Sequence, residues 1–505
     1  MTLQQAEKLS RDDWHARARG LVPEGRHFID GDFVASADGA TFEKRNPATD
    51  EPLAEVARGR AADVDRAVAS AQRAFRAGEW SRWAPRERMQ VLYRYAQLLE
   101  QHGDELALLD VLDMGKTISE VIQSDIPASV ECFQYFGETI DKIEGTVTNT
   151  ANDAFHFILR QPLGVVGCIV PWNYPVMMAA WKIAPALAAG NCVVLKPAEQ
   201  SPLSAALMAR LFVEAGGPPG ALNVVQGYGE EAGEALALHH DVAKIGFTGS
   251  IEIGKKMMVY AGQSNMKRVT TECGGKTPQV IMDDVADLDR AVEYAVNGIY
   301  GNQGEVCNAG SRLLVHRRLA DDFIERFREF ASSAYVPGDP LDPETTLGSL
   351  VNREQQERVL GYIDIGRQEG AQVALGGGSP AALQPGAFVE PTLFTGVNND
   401  MRIAREEIFG PVGAVLPFDS LDEALAIAND SLFGLAASVW TTHVDTANRF
   451  ARDIEAGVVW VNCFDHGDMT QPWGGYKQSG NGRDKCFQSV LDHTQTKSVW
   501  MHLGG

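Results

Sequence analysis

The 505-residue chain is 45% apolar and 22% charged, the composition of a globular protein too long for one core, so two or more domains are expected. Its 45 Lys and Arg against 67 Asp and Glu give a formal charge of −22, which repels nucleic acid and anionic membranes and excludes both as partners. An acidic surface serves solubility first and cationic substrates second, so the charge alone names no function.

The N-terminus, MTLQQAEKLSRDDWHARARG, has no apolar core behind a basic start, and no secretory leader is expected. Apolar runs such as Val165 to Val170 fall far short of the roughly 18 residues of a spanning helix, so a cytoplasmic protein is expected. Residues 143–160 alternate polar and apolar side chains, as an exposed strand does. From about 163 to 275, apolar strands alternate with helices. The strands are read at Gly164–Val170, Asn191–Leu195, Leu222–Val225, Ala243–Phe247 and Arg268–Thr271, the helices at Met177–Ala189 and Leu203–Ala215. Such alternation predicts a parallel sheet covered on both faces, as in a dinucleotide-binding domain. A second alternation runs from Gln279 to about Asn462, with strands Ser311–Val315 and Val412–Leu416 and helices Asp321–Ala334 and Leu421–Asn429. The tail 488–503 alternates again, and two exposed strands seek partners, so a homodimer or homotetramer is expected.

Seven cysteines, at 132, 168, 192, 273, 307, 463 and 486, are widely spaced and form no CxxC pair. Reduced thiols fit that pattern; a disulfide framework or a metal site does not. The segment Gly249 to Lys256 nearly spells a phosphate-binding P-loop, but Lys256 stands where a magnesium-binding hydroxyl is needed. Small residues at a strand end leading into a helix still offer backbone N–H groups to a pyrophosphate. The strict GxGxxG pattern is absent, since Gly227, Gly229 and Gly233 are spaced one residue too wide.

Three residues could carry chemistry. Cys307 lies among polar and glycine-rich neighbours, Asn302 to Arg312, which suits an accessible loop better than a core. A cysteine is more often a small buried hydrophobe, and a free thiol needs activation at neutral pH. Glu272 ends a strand and precedes Cys273-Gly274-Gly275, where an acid can approach a ligand or simply be solvated. Asn173 sits in a sharp turn, Pro171 to Pro175, which its amide also suits as a plain turn former. None of the three decides a function by itself.

Taken in order, the motifs resemble the aldehyde dehydrogenase superfamily across nearly the whole chain. They are Pro171 to Pro175, Lys196 to Glu199, Phe247 to Ser250, Glu272 with Gly274 to Lys276, Gly304 to Arg312, Glu406 to Val412 and Pro472 to Gly480. The stretches Gly467 to Thr470 and Gly480 to Lys485 are most similar to bacterial γ-glutamyl-γ-aminobutyraldehyde and related aminoaldehyde dehydrogenases. The resemblance implies an α/β fold with a Rossmann-type NAD-binding domain (1–142 and 161–275), an α/β catalytic domain (276–487) and a small β oligomerisation arm and tail (143–160 and 488–505). It implies that the Cys307 thiolate attacks an aldehyde, with Asn173 and the Cys307 N–H receiving the oxyanion. Glu272 would activate the water that hydrolyses the thioester, with Lys182 and Asp484 as its proton path. Many relatives carry Glu at the position of Asp484.

For the cofactor, the resemblance implies Lys196 and Glu199 at the adenosine ribose and Gly249 and Ser250 at the pyrophosphate. Glu407 would take the nicotinamide ribose, with Phe409 beside it. Ile169, Val170, Pro171, Trp172, Gly229, Gly233, Phe247, Cys273 and Gly274 complete that set. Glu199 repels a 2′-phosphate, so NAD is expected over NADP, although Lys196 leaves NADP open. No metal is implied. The substrate tunnel would be lined by Tyr174, Met178, Trp181, Val306, Asn308, Asp465 and Trp473. Gly301, Ala128 and Gly467 leave room for a long or wide aldehyde. Asp465, His466 and Asp468 either draw an amino-bearing substrate of the kind met in polyamine catabolism or form a solvated loop. Arylacetaldehydes such as indole-3-acetaldehyde are the rival substrates. Two other classes stand further off. A non-catalytic binding protein would not need Cys307, Glu272 and Asn173 together; a CoA-acylating or phosphorylating semialdehyde dehydrogenase uses another acyl acceptor in place of water, and the acylating ones typically lack the base at Glu272.

Overall fold

The structure is a computed structural model that describes residues 3–504. Its first sheet has seven strands in the order Arg268–Cys273, Val242–Gly249, Val165–Ile169, Cys192–Lys196, Leu222–Val224, His27–Ile29, Asp32–Val34. The first five run parallel and the last two antiparallel. Strands such as Val165–Ile169 and Cys192–Lys196 are buried along their whole length, which is why they read as unbroken apolar runs. From Val165–Ile169 the chain first builds outward through 192–196 and 222–224, then crosses to the other side at 242–249. The strand order therefore reverses beside Val165–Ile169, and the crevice beyond its C-terminal end is where ligands of open α/β sheets sit.

The second sheet also has seven strands, in the order Gln372–Leu375, Thr392–Thr395, Val412–Phe418, Arg312–His316, Pro278–Ile281, Ala436–Trp440, Val458–Val461. All its pairings are parallel except that of Gln372–Leu375. The two bodies meet where Glu272 bridges Gly480. There the Ser479 hydroxyl donates to Gly274 O at 2.7 Å and accepts from Gly434 N at 3.0 Å.

A three-stranded antiparallel sheet joins Thr494–His502, Ala154–Pro162 and Thr146–Val147. It leaves Val147, Trp500 and Met501 exposed. The expected tail strand is shortened: Cys486–Asp492 is helical, and strand begins only at Thr494. The strand expected over 143–160 is two strands, Thr146–Val147 and Ala154–Pro162, and three others run two residues past their expected ends, Val242–Gly249, Arg268–Cys273 and Val412–Phe418; the remaining elements lie within two residues of those expected. The cysteines are free thiols, and no helix of the described residues is long and apolar enough to cross a membrane.

Two buried helices position the site. Pro175–Ala188 is buried at every residue but Met177, so it carries Lys182 into the interior. Gly103–Met114, buried on nearly all sides, brings Asp110 and Asp113 to helix starts that need acceptors. Asp110 Oδ2 accepts from Val176 N at 3.2 Å and Asp113 Oδ2 from Leu203 N at 2.8 Å. The first of these bonds fixes the turn that holds Asn173.

Candidate active site

Cys307 follows a loop with three consecutive left-handed residues, Asn302, Gln303 and Gly304. A Cβ at residue 304 would strike the Gly410 carbonyl and the Pro411 nitrogen, so only glycine lets the loop lie on that segment. The loop is sewn down by amides. Asn173 Nδ2 donates to Glu305 O at 2.8 Å, and Asn302 Nδ2 donates to Asn173 O at 2.9 Å. Below them the buried Glu305 accepts from Val351 N at 3.0 Å, which ties the loop to the start of helix Arg353–Gln368. Asn173 therefore uses one of its two amide hydrogens as a brace, and no hydrogen bond of the other is seen among the described residues.

Half-buried Cys307 opens onto a cavity of about 430 Å³ at the crevice where the sheet order reverses. Its walls include Pro171, Trp172, Asn173, Met178, Gly249, Ser250, Cys273, Gly274, Glu407 and Phe409. Burial pushes the Cys307 thiol up, and the carboxylates of Glu407, Asp465 and Glu272 push it further. Ser250 caps helix Ile251–Gln263, accepting from Ile253 N at 3.3 Å, so backbone N–H groups face the crevice where the near-P-loop lies. Trp172 and Phe409 meet edge to face at 5.1 Å. Glu407 folds over Gly274, where any Cβ would fall on its carboxylate, and burial lifts it to about 7 against the pull of the Gly275 N–H.

Behind the cavity, Glu272 is only 3% exposed, and neither carboxyl oxygen has a hydrogen-bond partner among the described residues. It lies against Gly474 and Gly482, where a Cβ would come within 2.7 and 2.9 Å of Oε1. Burial raises its pKa well above the usual carboxylate range, Asp484 adds to that, and Lys182 and Arg483 oppose it. Lys182 Nζ and Asp484 Oδ2 pair at 2.6 Å.

The remaining expected cofactor residues are placed less directly. Lys196 and Glu199 pair with each other at 2.7 Å at the end of strand Cys192–Lys196. Ile169 and Val170 are buried at the end of the central strand, and Phe247 packs beneath Gly249. Gly229 and Gly233 bound one helical turn with open space over both, outside the cavity wall.

On the other side of the Cys307 loop lies a chamber of about 490 Å³. Tyr174, Val306, Gly301 and Asp465 line it. Met178 faces the first cavity instead, and Asn308 holds Asp465 by a 3.0 Å bond from Nδ2. Trp181 and Trp473 join Trp460 and Phe464 in one aromatic cluster. Asp468 is engaged in its own turn with Thr470, and His466 bonds the Tyr294 hydroxyl, so of the three loop residues only Asp465 reaches the chamber. Glu120 is a second acid on that wall, beside Ser119, Gln123 and Thr345. Sequence reasoning missed these residues, because they come from segments far from any motif.

The aldehyde dehydrogenase family model matches residues 33–499. The NADP/NAD-dependent aldehyde dehydrogenase PuuC of Escherichia coli (strain K12) is 45% identical over 490 residues, 97% of this chain and 98% of that protein. A solved indole-3-acetaldehyde dehydrogenase with NAD+ is 51% identical, with a TM-score of 0.97 over 98% of this chain and 100% of its own. The γ-glutamyl-γ-aminobutyraldehyde dehydrogenase structure from Burkholderia cenocepacia J2315 is 50% identical, with a TM-score of 0.96 and the same coverage.

Proposed function

The chain belongs to the aldehyde dehydrogenase family, and from that membership we propose that it oxidises an amino-bearing aldehyde to the carboxylate with NAD. The observation that carries the substrate class is the chamber beside Val306. Two carboxylates, Glu120 and Asp465, stand on its wall, with no Lys or Arg among the residues that line it. Lys116, 3.2 Å from Glu120, is itself held at 2.8 Å by the buried Asp125, so it does not neutralise the chamber. An ammonium entering there gains two attractive partners.

The residues of the first cavity suit a dinucleotide. Helix-start N–H groups at Ser250 meet a pyrophosphate, the Trp172 and Phe409 rings border a flat heterocycle, and the glycine at 274 leaves space for the Glu407 carboxylate. NAD, when bound, supplies the acceptor for the hydride of the aldehyde carbon. Glu199, at the end of the strand that follows the central one, favours NAD over NADP by repelling a 2′-phosphate.

Cys307 passes its proton by way of Glu272 to the Lys182–Asp484 pair and, as the thiolate, attacks the aldehyde carbon to form a thiohemiacetal. Its alkoxide is received by the second amide hydrogen of Asn173 and by the Cys307 N–H, each worth about 3 kcal/mol when held in place. Loss of the hydride leaves a thioester on Cys307. Glu272 takes a proton from water, hydroxide adds to the thioester carbon, and the carboxylate leaves as the thiol is restored. Because Glu272 faces the Lys182–Asp484 pair rather than the first cavity's wall, it swings toward the sulfur for this step, and Lys182 and Asp484 carry the proton away. The aromatic cluster of Trp181, Trp473, Trp460 and Phe464 favours a second reading, an arylacetaldehyde substrate.

The two readings separate in kcat/KM, measured by NADH absorbance for 4-aminobutyraldehyde, the alkanal of equal length and indole-3-acetaldehyde. The aminoaldehyde is expected to exceed the alkanal by about threefold or more, as a charge contact with an exposed carboxylate allows. Equal values, or a lead for indole-3-acetaldehyde, overturn the amino assignment.

A further inference from the structure

Two residues before Cys307 stands an acid whose carboxyl takes no part in the reaction. Glu305 is fully enclosed, at 0% exposure. Its Oε1 accepts from Val351 N at 3.0 Å, and its Oε2 has no hydrogen-bond partner among the described residues. Burial and that one N–H are what act on the group, and burial raises its pKa well above the usual carboxylate range. The charged side chains of the segments around it are engaged elsewhere. Arg353 donates to Gln356 and to Pro385 O, and Arg358 to Glu407 O. Lys116 holds Asp125, Asp113 accepts from Leu203 N, Glu406 holds Arg402 and Glu407 accepts from Gly275 N. Glu354 is exposed, and the Cys307 thiol opens onto the first cavity. One N–H is too little for a carboxylate, and an unpaired charge in a dry interior costs far more than one unmet hydroxyl.

The same residue joins two walls of the site. Its main-chain oxygen takes the amides of Asn173, at 2.8 Å, and Asn302, at 3.3 Å. Its side chain takes the N–H of Val351, and Val351 and Asn352 both line the first cavity. Asn352 caps helix Arg353–Gln368, accepting from Gln355 N at 2.8 Å. Gln355 Nε2 then donates to Phe409 O at 2.6 Å, and Arg358 to Glu407 O at 2.9 Å. From Glu305 a run of bonds thus leads one way to Asn173 and the other way to Glu407 and Phe409.

We propose that Glu305 is folded as a neutral carboxylic acid and acts as the positioning residue that keeps Asn173 and the Cys307 loop in register with the cofactor wall. On folding, its carboxylate takes a proton from water; the carbonyl oxygen then keeps the Val351 N–H, and the hydroxyl stays dry. Loss of that proton leaves a bare charge behind the loop, which water relieves only by parting the contact with Val351, so both walls loosen together. This rests on Cys307 being the reacting thiol and is independent of the aldehyde it takes.

The first test needs no turnover. Above the ordinary carboxylate range, near about pH 4.3, the wild-type chain must bind a proton to fold, whereas Glu305→Gln need not. The Tm of the Gln variant, measured at one scan rate and protein concentration, is therefore expected to gain on that of the wild type by about 1 °C per pH unit between pH 5 and 7. A difference that stays flat with pH shows that Glu305 folds ionised and overturns the proposal. The second test reads position. Glu305→Gln keeps the acceptor for Val351 N and is expected to hold the NADH burst rate and the KM for NAD within about twofold. Glu305→Leu removes that acceptor and is expected to slow the burst and raise the KM for NAD, each by about fivefold or more and with every aldehyde oxidised. A Leu variant with either value unchanged overturns the positioning role. So does a Gln variant that loses both, a result that stands even where the Leu variant does not fold.

Discussion

The two cavities that meet at the Cys307 loop are built of different material. The one at the sheet crevice sets backbone features, the helix start at Ser250, the glycines at 249 and 274 and the turn Pro171 to Asn173, among side chains such as Met178, Glu407 and Phe409. The acidic chamber is shaped by side chains gathered from 117–124, 297–306, 334–346 and 464–465. A wall of backbone recognises what every substrate pair shares, because changing a side chain hardly alters it. A wall of side chains recognises what differs, because each one can be exchanged without moving the frame. The common cofactor and the particular aldehyde thus fall to opposite faces of one loop.

Four experiments bear on that division. The loop serves both faces, so Cys307→Ser is expected to cut NADH formation by about a thousandfold or more with every aldehyde. Loss with some aldehydes only would break the idea of a shared nucleophile. Glu272→Gln is expected to give one NADH per subunit in a burst and then turn over about a hundredfold slower or worse. Steady wild-type turnover would remove Glu272 as the base. Asp465→Asn addresses the chamber alone. It should lower kcat/KM for 4-aminobutyraldehyde by about threefold while the KM for NAD stays as it was; an equal loss for the matched alkanal would place Asp465 in the frame rather than in recognition.

The smallest effect concerns pH. Glu272 must be ionised to act, and its raised pKa means that thioester hydrolysis climbs as pH rises through that value. Asp484 pushes the pKa up, while Lys182, which it neutralises, pulls it down. Asp484→Asn removes the first and unmasks the second, so the acid limb of the deacylation profile should move to lower pH. A shift to higher pH would show that Asp484 is not acting on Glu272 through its charge.

The same division governs what the sequence alone reveals. The crevice is legible because backbone walls demand particular residues at fixed offsets: small ones at 249 and 250, two glycines after Glu272, a proline-bounded turn at Asn173. Both sheets are legible because strands buried on two faces read as apolar runs. The chamber is not legible, since Glu120 and Thr345 are ordinary polar residues until the fold sets them opposite Asp465. Asp468 resembles Asp465 in sequence, and only the turn it makes with Thr470 tells them apart. Helix Gly103–Met114 escapes notice for another reason. It is buried nearly all round, so it shows no polar stripe to mark its period.

The contact between residue 304 and the Gly410–Pro411 peptide has a consequence for mutational tolerance. Cys307 can at least be exchanged for serine with the frame intact. At 304 no such exchange exists, since even alanine meets a carbonyl and a positive φ at once. A saturation scan would rank this position with the nucleophile itself, although it has no side chain and no chemistry to lose. A side chain at 410 is limited by another neighbour, since its Cβ would come within 2.5 Å of Val359 Cγ2.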